Sequence, residues 1–201
     1  MSGARLPRHP RRLAAGFAVA LSLLLPATVL AAELTGTDGP DHLVGTPEAD
    51  IIDGLGGRDV LEGLGGPDVI DGGADHDLIY GGDGPDVLTG GTGGDGIRGG
   101  EGPDTIGGGE GPDMLSGGGG LDLIRGGPGA DTIYGGAGGD RISGGTGRDV
   151  VRADGGNDVI TVRGDRTTDV VWCGRGWDVV HAGRFDIVGR DCERVVRDRR
   201  G

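Results

Sequence analysis

Aspartate recurs every nine residues along this chain, through fourteen consecutive units with no insertion or deletion. The series is Asp41, Asp50, Asp59, Asp68, Asp77, Asp86, Asp95, Asp104, Asp113, Asp122, Asp131, Asp140, Asp149 and Asp158. Two residues after each Asp stands an aliphatic: Leu43, Ile52, Leu61, Ile70, Ile79, Leu88, Ile97, Ile106, Leu115, Ile124, Ile133, Ile142, Val151 and Ile160. Gly opens thirteen of the fourteen units, with Ala153 the exception. It fills the fourth position in twelve, with Glu48 and Asp75 the exceptions, and the second in nine, from Gly73 to Gly145. Drifting low-complexity sequence would not keep a carboxylate and an aliphatic in one phase over residues 36–161. A fixed period of this extent marks stacked repeats. Collagen is excluded because Gly does not fall at every third position.

The period predicts the local structure. Each unit reads as a six-residue loop, such as Gly81–Asp86, followed by a three-residue strand, such as Val87–Thr89. The loop needs Gly where φ is positive or where backbones approach closely. The strand is β-prone and turns its middle side chain to one face. So short a strand is not stable alone, but stacked copies bury a continuous aliphatic column. Two units per coil give two facing parallel sheets. The expected fold is all-β: a parallel β-roll, or two-sheet β-solenoid, of seven coils. Residues eighteen apart then stack at ~4.8 Å, and the Asp residues form two ladders of seven, one along each edge.

This architecture has a weak point. One aliphatic per nine residues is a thin core, and Gly, at 50 of 201 residues, is the costliest residue to order. Within each ladder, like charges about 5 Å apart repel by roughly 0.8 kcal/mol per neighbouring pair even in water. The chain is therefore expected to be disordered without a cation and folded with one. Residues 33–161 hold 25 Asp and Glu against six Arg, a balance that excludes nucleic acid as a partner. Carboxylates and Gly-loop carbonyls are hard oxygen donors in flexible loops. They favour Ca²⁺ over Zn²⁺ or Cu²⁺, and over Mg²⁺ with its stricter octahedral demand.

Units Gly81–Thr89, Gly108–Ser116 and Gly126–Tyr134 resemble the repeats-in-toxin (haemolysin-type) nonapeptide, G-G-x-G-x-D-x-U-x. The resemblance covers residues 36–161. It implies a parallel β-roll with several Ca²⁺ ions held between successive loops on one edge, by the fourteen Asp carboxylates and by loop carbonyls. It also implies export of an unfolded chain that folds in extracellular calcium. Gly45–Asp53 departs from the motif at Thr46 and Glu48, Gly72–Tyr80 at Asp75, and the last unit begins Ala153-Asp154. Calcium sites at those loops are the least secure.

The ends read differently. Arg5, Arg8, Arg11 and Arg12 precede an uncharged, mostly apolar run from Leu13 to Leu30, with small residues at Ala31 and Ala32. Residues 1–32 are expected to be a signal peptide cleaved after Ala31 or Ala32, giving a secreted protein with no stable membrane insertion. A membrane anchor is the alternative. The calcium-binding roll is expected over 33–161, with 162–201 forming degenerate repeats, a cap and an Arg-rich tail. In that cap, Trp172, Trp177 and Phe185 are expected to close the end of the core. Cys173 and Cys192 are the only cysteines, and their separation of nineteen is close to one coil. After export, a disulfide between adjacent coils is expected. A Cys173–His181 nucleophile pair is the sharper alternative.

No catalytic motif is present, and the only Ser residues after the leader are Ser116 and Ser143, both at repeat ends. His42 and His76 occupy variable repeat positions. The chain is therefore expected to be a non-enzymatic, extracellular calcium-binding module with a structural, adhesive or calcium-responsive role. The alternative is an accessory or secretion module of a secreted hydrolase. The array begins about four residues after the expected cleavage point, which leaves no catalytic domain ahead of it.

Overall fold

The computed structural model describes residues 30–162 and 164–197. The Arg-rich and apolar stretch expected to direct export lies outside the described residues as far as residue 29, as do residues 198–201 of the Arg-rich tail. Nineteen strands follow one another from β1 (Glu33–Thr35) to β19 (Arg194–Arg197), with no helix among the described residues. Odd-numbered strands build a ten-stranded sheet and even-numbered strands a nine-stranded one. Every ladder is parallel and each strand pairs with the strand two further along the chain, so one coil contributes one strand to each sheet. This is the two-sheet parallel β-solenoid that the period predicts.

The strands are longer than the sequence pattern suggests. β5 (Val69–Ala74) and β7 (Val87–Thr92) each run six residues, taking in the first three positions of the following repeat. Val69, Ile70 and Asp71 pair with Val87, Leu88 and Thr89; beyond the bend, Gly73 and Ala74 pair with Gly91 and Thr92. The paired glycines carry the ladder around a corner where a side chain would be driven into the neighbouring coil. A Cβ on Gly91, at φ 105°, would meet the carbonyl oxygen of Gly73.

Alternation along each strand sets the core. The aliphatic column from Ile52 to Ile160 is buried between the sheets, with Leu34 and Leu43 partly covered at the N-terminal end. The column continues past the repeats through Val162, Val171, Val180 and Ala182. These belong to β15 (Val159–Val162), β16 (Val170–Trp172) and β17 (Val179–Ala182), so the degenerate segment extends the roll. Two extra residues after Val162 are absorbed in a loop, and β16 still pairs with β14 (Val150–Gly155) at Val150 and Val170.

The aromatic residues do not close the end. Trp172, Trp177 and Phe185 are all largely exposed. Trp172 follows buried Val171 on its strand, so alternation sends its ring outward. Closure comes instead from β18 (Ile187–Val188), from β19, and from the disulfide between Cys173 and Cys192, whose Cα atoms lie 5.2 Å apart. On the outer face of the even-numbered sheet, register aligns Tyr80, Arg98, Ser116, Tyr134, Arg152 and Trp172 in one column.

Candidate metal centre

Each coil turns a corner at the sixth position of a repeat, and there the Asp side chain folds inward. Asp59 through Asp158 are each at most 3% exposed. Their carboxylates climb the two edges of the roll in the eighteen-residue register. The backbone N–H of Asp86 donates to Oδ1 of Asp104 at 2.9 Å, and that of Asp104 donates to Oδ1 of Asp122 at 2.9 Å. The same bond recurs at 2.8–3.0 Å from Asp50 to Asp158 on one edge and from Asp41 to Asp149 on the other. The backbone closes the rung as well: the amide of Thr105 donates to the carbonyl of Asp86.

One oxygen per carboxylate is left over. Oδ2 of Asp59, Asp68, Asp77, Asp86, Asp95, Asp104, Asp113, Asp122, Asp131, Asp140, Asp149 and Asp158 is buried with no hydrogen-bond partner. Buried carboxylate oxygens without partners are costly, and a row of them calls for a counter-charge. From Asp59 to Asp149, each Oδ2 lies beside the glycine that opens its own repeat; the repeat of Asp158 opens on Ala153. A Cβ on Gly99 would run into Asp104 Oδ2 and sit 2.6 Å from the carbonyl oxygen of Gly117. The missing side chain thus lets carboxylate and carbonyl oxygen approach each other closely. No three His, Cys, Asp or Glu side chains converge on one point among the described residues. A cation here would be held by carboxylates together with backbone carbonyls, a hard-oxygen set that suits Ca²⁺.

Charge follows burial. Desolvation lifts the carboxyls of Asp68, Asp77, Asp113, Asp131, Asp140 and Asp149 to about 6, and those of Asp104 and Asp158 to about 7. The amide from the coil before pulls each value down. Neighbouring carboxylates on the same ladder, such as Asp86 and Asp122 beside Asp104, push it up again.

A family model of the RTX calcium-binding nonapeptide repeat matches residues 35–70, 55–88, 71–106, 107–142 and 134–168. The chain belongs to this family. A search among curated proteins returns no match.

Within the RTX array, the first two loops differ from the rest. From Leu55 to Asp154, the second position of every repeat has positive φ, whether it holds Gly, Leu or Asp. Thr37 and Thr46 do not. With the loop turned the other way, the Thr37 amide and hydroxyl donate to Asp41 Oδ2 at 2.6 and 2.9 Å. The Thr46 amide donates to Asp50 Oδ2 at 2.5 Å and its hydroxyl to Oδ1 at 3.0 Å. The Oδ2 atoms of Asp41 and Asp50 therefore have partners, unlike those of the twelve Asp residues that follow. Asp75 and Asp154 keep the positive φ of the standard loop, so their departures from the motif leave its backbone intact.

The RTX matches end at residue 168, but the ladders do not. Asp149 and Asp158 donate their amides to Asp169 and Asp178, each at 2.9 Å, Asp169 to Asp186 at 3.2 Å, and Asp178 to Glu193 at 2.8 Å. Asp169, Asp178 and Asp186 are absent from the ligand set expected from sequence, which is confined to the unbroken nine-residue phase ahead of a two-residue slip. The recurring pairs Asp169-Val170 and Asp178-Val179 are the signal that reveals them. His42 and His76 lie exposed: His42 meets Glu62 at 2.9 Å, and His76 Nδ1 accepts the Gly94 amide at 2.6 Å. Cys173 is spent in the disulfide and has no thiol to offer His181.

Proposed function

We propose that this protein is an extracellular calcium-binding module that folds as it loads calcium, with a structural, adhesive or calcium-responsive role. The observation that carries the reading is the row of twelve buried Oδ2 atoms without partners, on a backbone of the RTX repeat family. Position-six Asp residues from Asp59 to Asp158 would supply carboxylate oxygen, and carbonyls beside the opening glycines would supply the rest. Bound calcium would provide positive charge between stacked loops, cancelling repulsion within each ladder. The same carboxylates make the metal-free roll unfavourable, because burying unneutralised charge is expensive. Folding and loading would then be one transition. Secretion is supported by the basic and apolar N-terminal pattern, by the disulfide, and by extracellular calcium at levels that weak oxygen sites can use.

The test is circular dichroism of residues 33–201 titrated with Ca²⁺ and Mg²⁺ and compared with EDTA. Disorder is expected in EDTA, with β-structure appearing at roughly 0.1–1 mM Ca²⁺. A sample fully folded in EDTA overturns the coupling, and indifference to calcium overturns the binding.

A further inference from the structure

The loop Cys173–Asp178 lies beyond the last residue matched to the repeat family, and its sequence opens with Cys where the motif has Gly. Its backbone nevertheless copies an interior loop. Gly174 and Gly176 hold φ of 94° and 147°, matching the second and fourth positions of the repeats. The Arg175 amide donates to the Asp154 carbonyl at 2.8 Å, and the Gly156 amide donates to the Arg175 carbonyl at 2.8 Å, so the loop stacks on the 153–158 loop.

Asp178 completes the likeness. It is fully buried, its Oδ1 accepts the Asp158 amide, and its Oδ2 has no partner. Two more carboxylates stand close by. Asp191 accepts the Gly174 amide at 2.9 Å, and Glu193 accepts the Asp178 amide at 2.8 Å. The disulfide ties the first residue of this loop to Cys192, next to Asp191 in the chain. Acid groups are thus gathered around a pinned loop that leaves one buried carboxylate oxygen uncompensated.

We propose that the Cys173–Asp178 loop holds a further divalent, oxygen-seeking cation through Asp178, outside the nonapeptide array. The inference rests on the calcium-binding reading of the roll and extends it past the repeats to the disulfide-closed end. Cys173 carries a Cβ where most interior loops have glycine, so its oxygens approach less closely and this site binds more weakly than the glycine-opened ones. It fills last as calcium is raised.

Trp177 precedes the ligand in sequence and its amide donates to Asn157 Oδ1 beside Asp158, so its indole reports on this end of the roll, and the acid variants separate the two neighbouring sites. Terbium(III) replaces calcium at oxygen sites and emits when a nearby indole absorbs. The experiment uses the full secreted chain, with tryptophan-excited terbium emission recorded alongside circular dichroism. Emission is expected in the parent protein and should be displaced by calcium. It should be mostly lost in Trp177→Phe and in Asp178→Asn, and kept in Trp172→Phe and Asp104→Asn. Trp177→Phe leaves every acid in place and shows that the emission comes from this end of the roll; Asp158→Asn, which should keep the emission, separates the site from its neighbour in the array even if Asp178→Asn folds poorly. Emission that survives in either Trp177→Phe or a folded Asp178→Asn overturns the proposal. If calcium induces no β-structure in the parent, the calcium reading of the whole roll fails instead, and the two outcomes are distinguishable.

Discussion

Asp104 and Asp50 occupy the same position of their respective repeats and are both buried, yet their carboxylates have opposite needs. Asp104 has an oxygen with no partner and a carboxyl lifted to about 7 by burial, whereas Thr46 answers both oxygens of Asp50. Asp104→Asn should therefore act in two directions. In EDTA it removes a buried charge and stabilises the roll; in calcium it removes a ligand and raises the midpoint of the folding titration. Asp50→Asn should leave the calcium midpoint close to that of the parent. Equal shifts for both variants in the dichroism titration would refute the distinction. Glycine offers a second contrast. Gly100 sits at φ 125°, and its Cβ would strike the Gly82 carbonyl, so Gly100→Ala should cost about 2 kcal/mol or more. Leu64 holds φ 81° with its side chain exposed, so Leu64→Gly should be neutral or stabilising by up to about 1 kcal/mol. Urea unfolding in saturating calcium measures both. The Asp and aliphatic columns were legible because they depend only on period. The closure of Asp41 and Asp50 was not, because it depends on the sign of φ at Thr37 and Thr46, which composition does not reveal.

At the scale of the element, the strand is where pattern reading fell short. Three β-prone residues suggest a three-residue strand, but glycines with no β preference continue the ladder around the corner because a paired coil already lies beside them. Tertiary pairing overrides local propensity here. The last coils show the complementary case. Their pairing survives a two-residue slip because β15 to β17 retain buried aliphatics and the cystine binds Cys173 to the chain after β18. The disulfide closes a nineteen-residue span, a loop for which chain-entropy reasoning gives about 3 kcal/mol. Reduction, or Cys173→Ser with Cys192→Ser, should loosen β16 to β19 first and leave the coils around Ile106 protected. Hydrogen exchange in calcium, compared with and without a dithiol reductant, reads this out. Uniform loss of protection along the roll would show that the end coils are not a separate unit.

The whole molecule titrates as a pair of coupled columns. An unfolded Asp titrates near 3.9, while the carboxyls of Asp68, Asp77, Asp104, Asp113, Asp131, Asp140, Asp149 and Asp158 lie at about 6 to 7, so the folded metal-free roll binds protons more tightly than the unfolded chain. Metal-free stability from these groups is fully present below about pH 4 and is lost as pH rises through 6 to 7. In EDTA, β-structure should be greater at pH 4.5 than at pH 8. With calcium the trend reverses, because protons compete for the same oxygens and the calcium midpoint should rise as pH falls below about 6. Dichroism against pH, with and without calcium, checks both signs; a metal-free roll more ordered at pH 8 would contradict them.

The eighteen-residue register also gives the chain a parity. Removing residues 90–107 excises one whole coil, and every later strand keeps its sheet, so Tyr80, Tyr134 and Arg152 still share one outer face. Removing residues 90–98 excises one repeat with its buried Ile97 and leaves every other repeat intact, yet sends all later strands to the opposite sheet. The core cannot tell the two deletions apart, but the surface can. Any partner that reads an outer face constrains this protein to gain or lose its repeats in pairs.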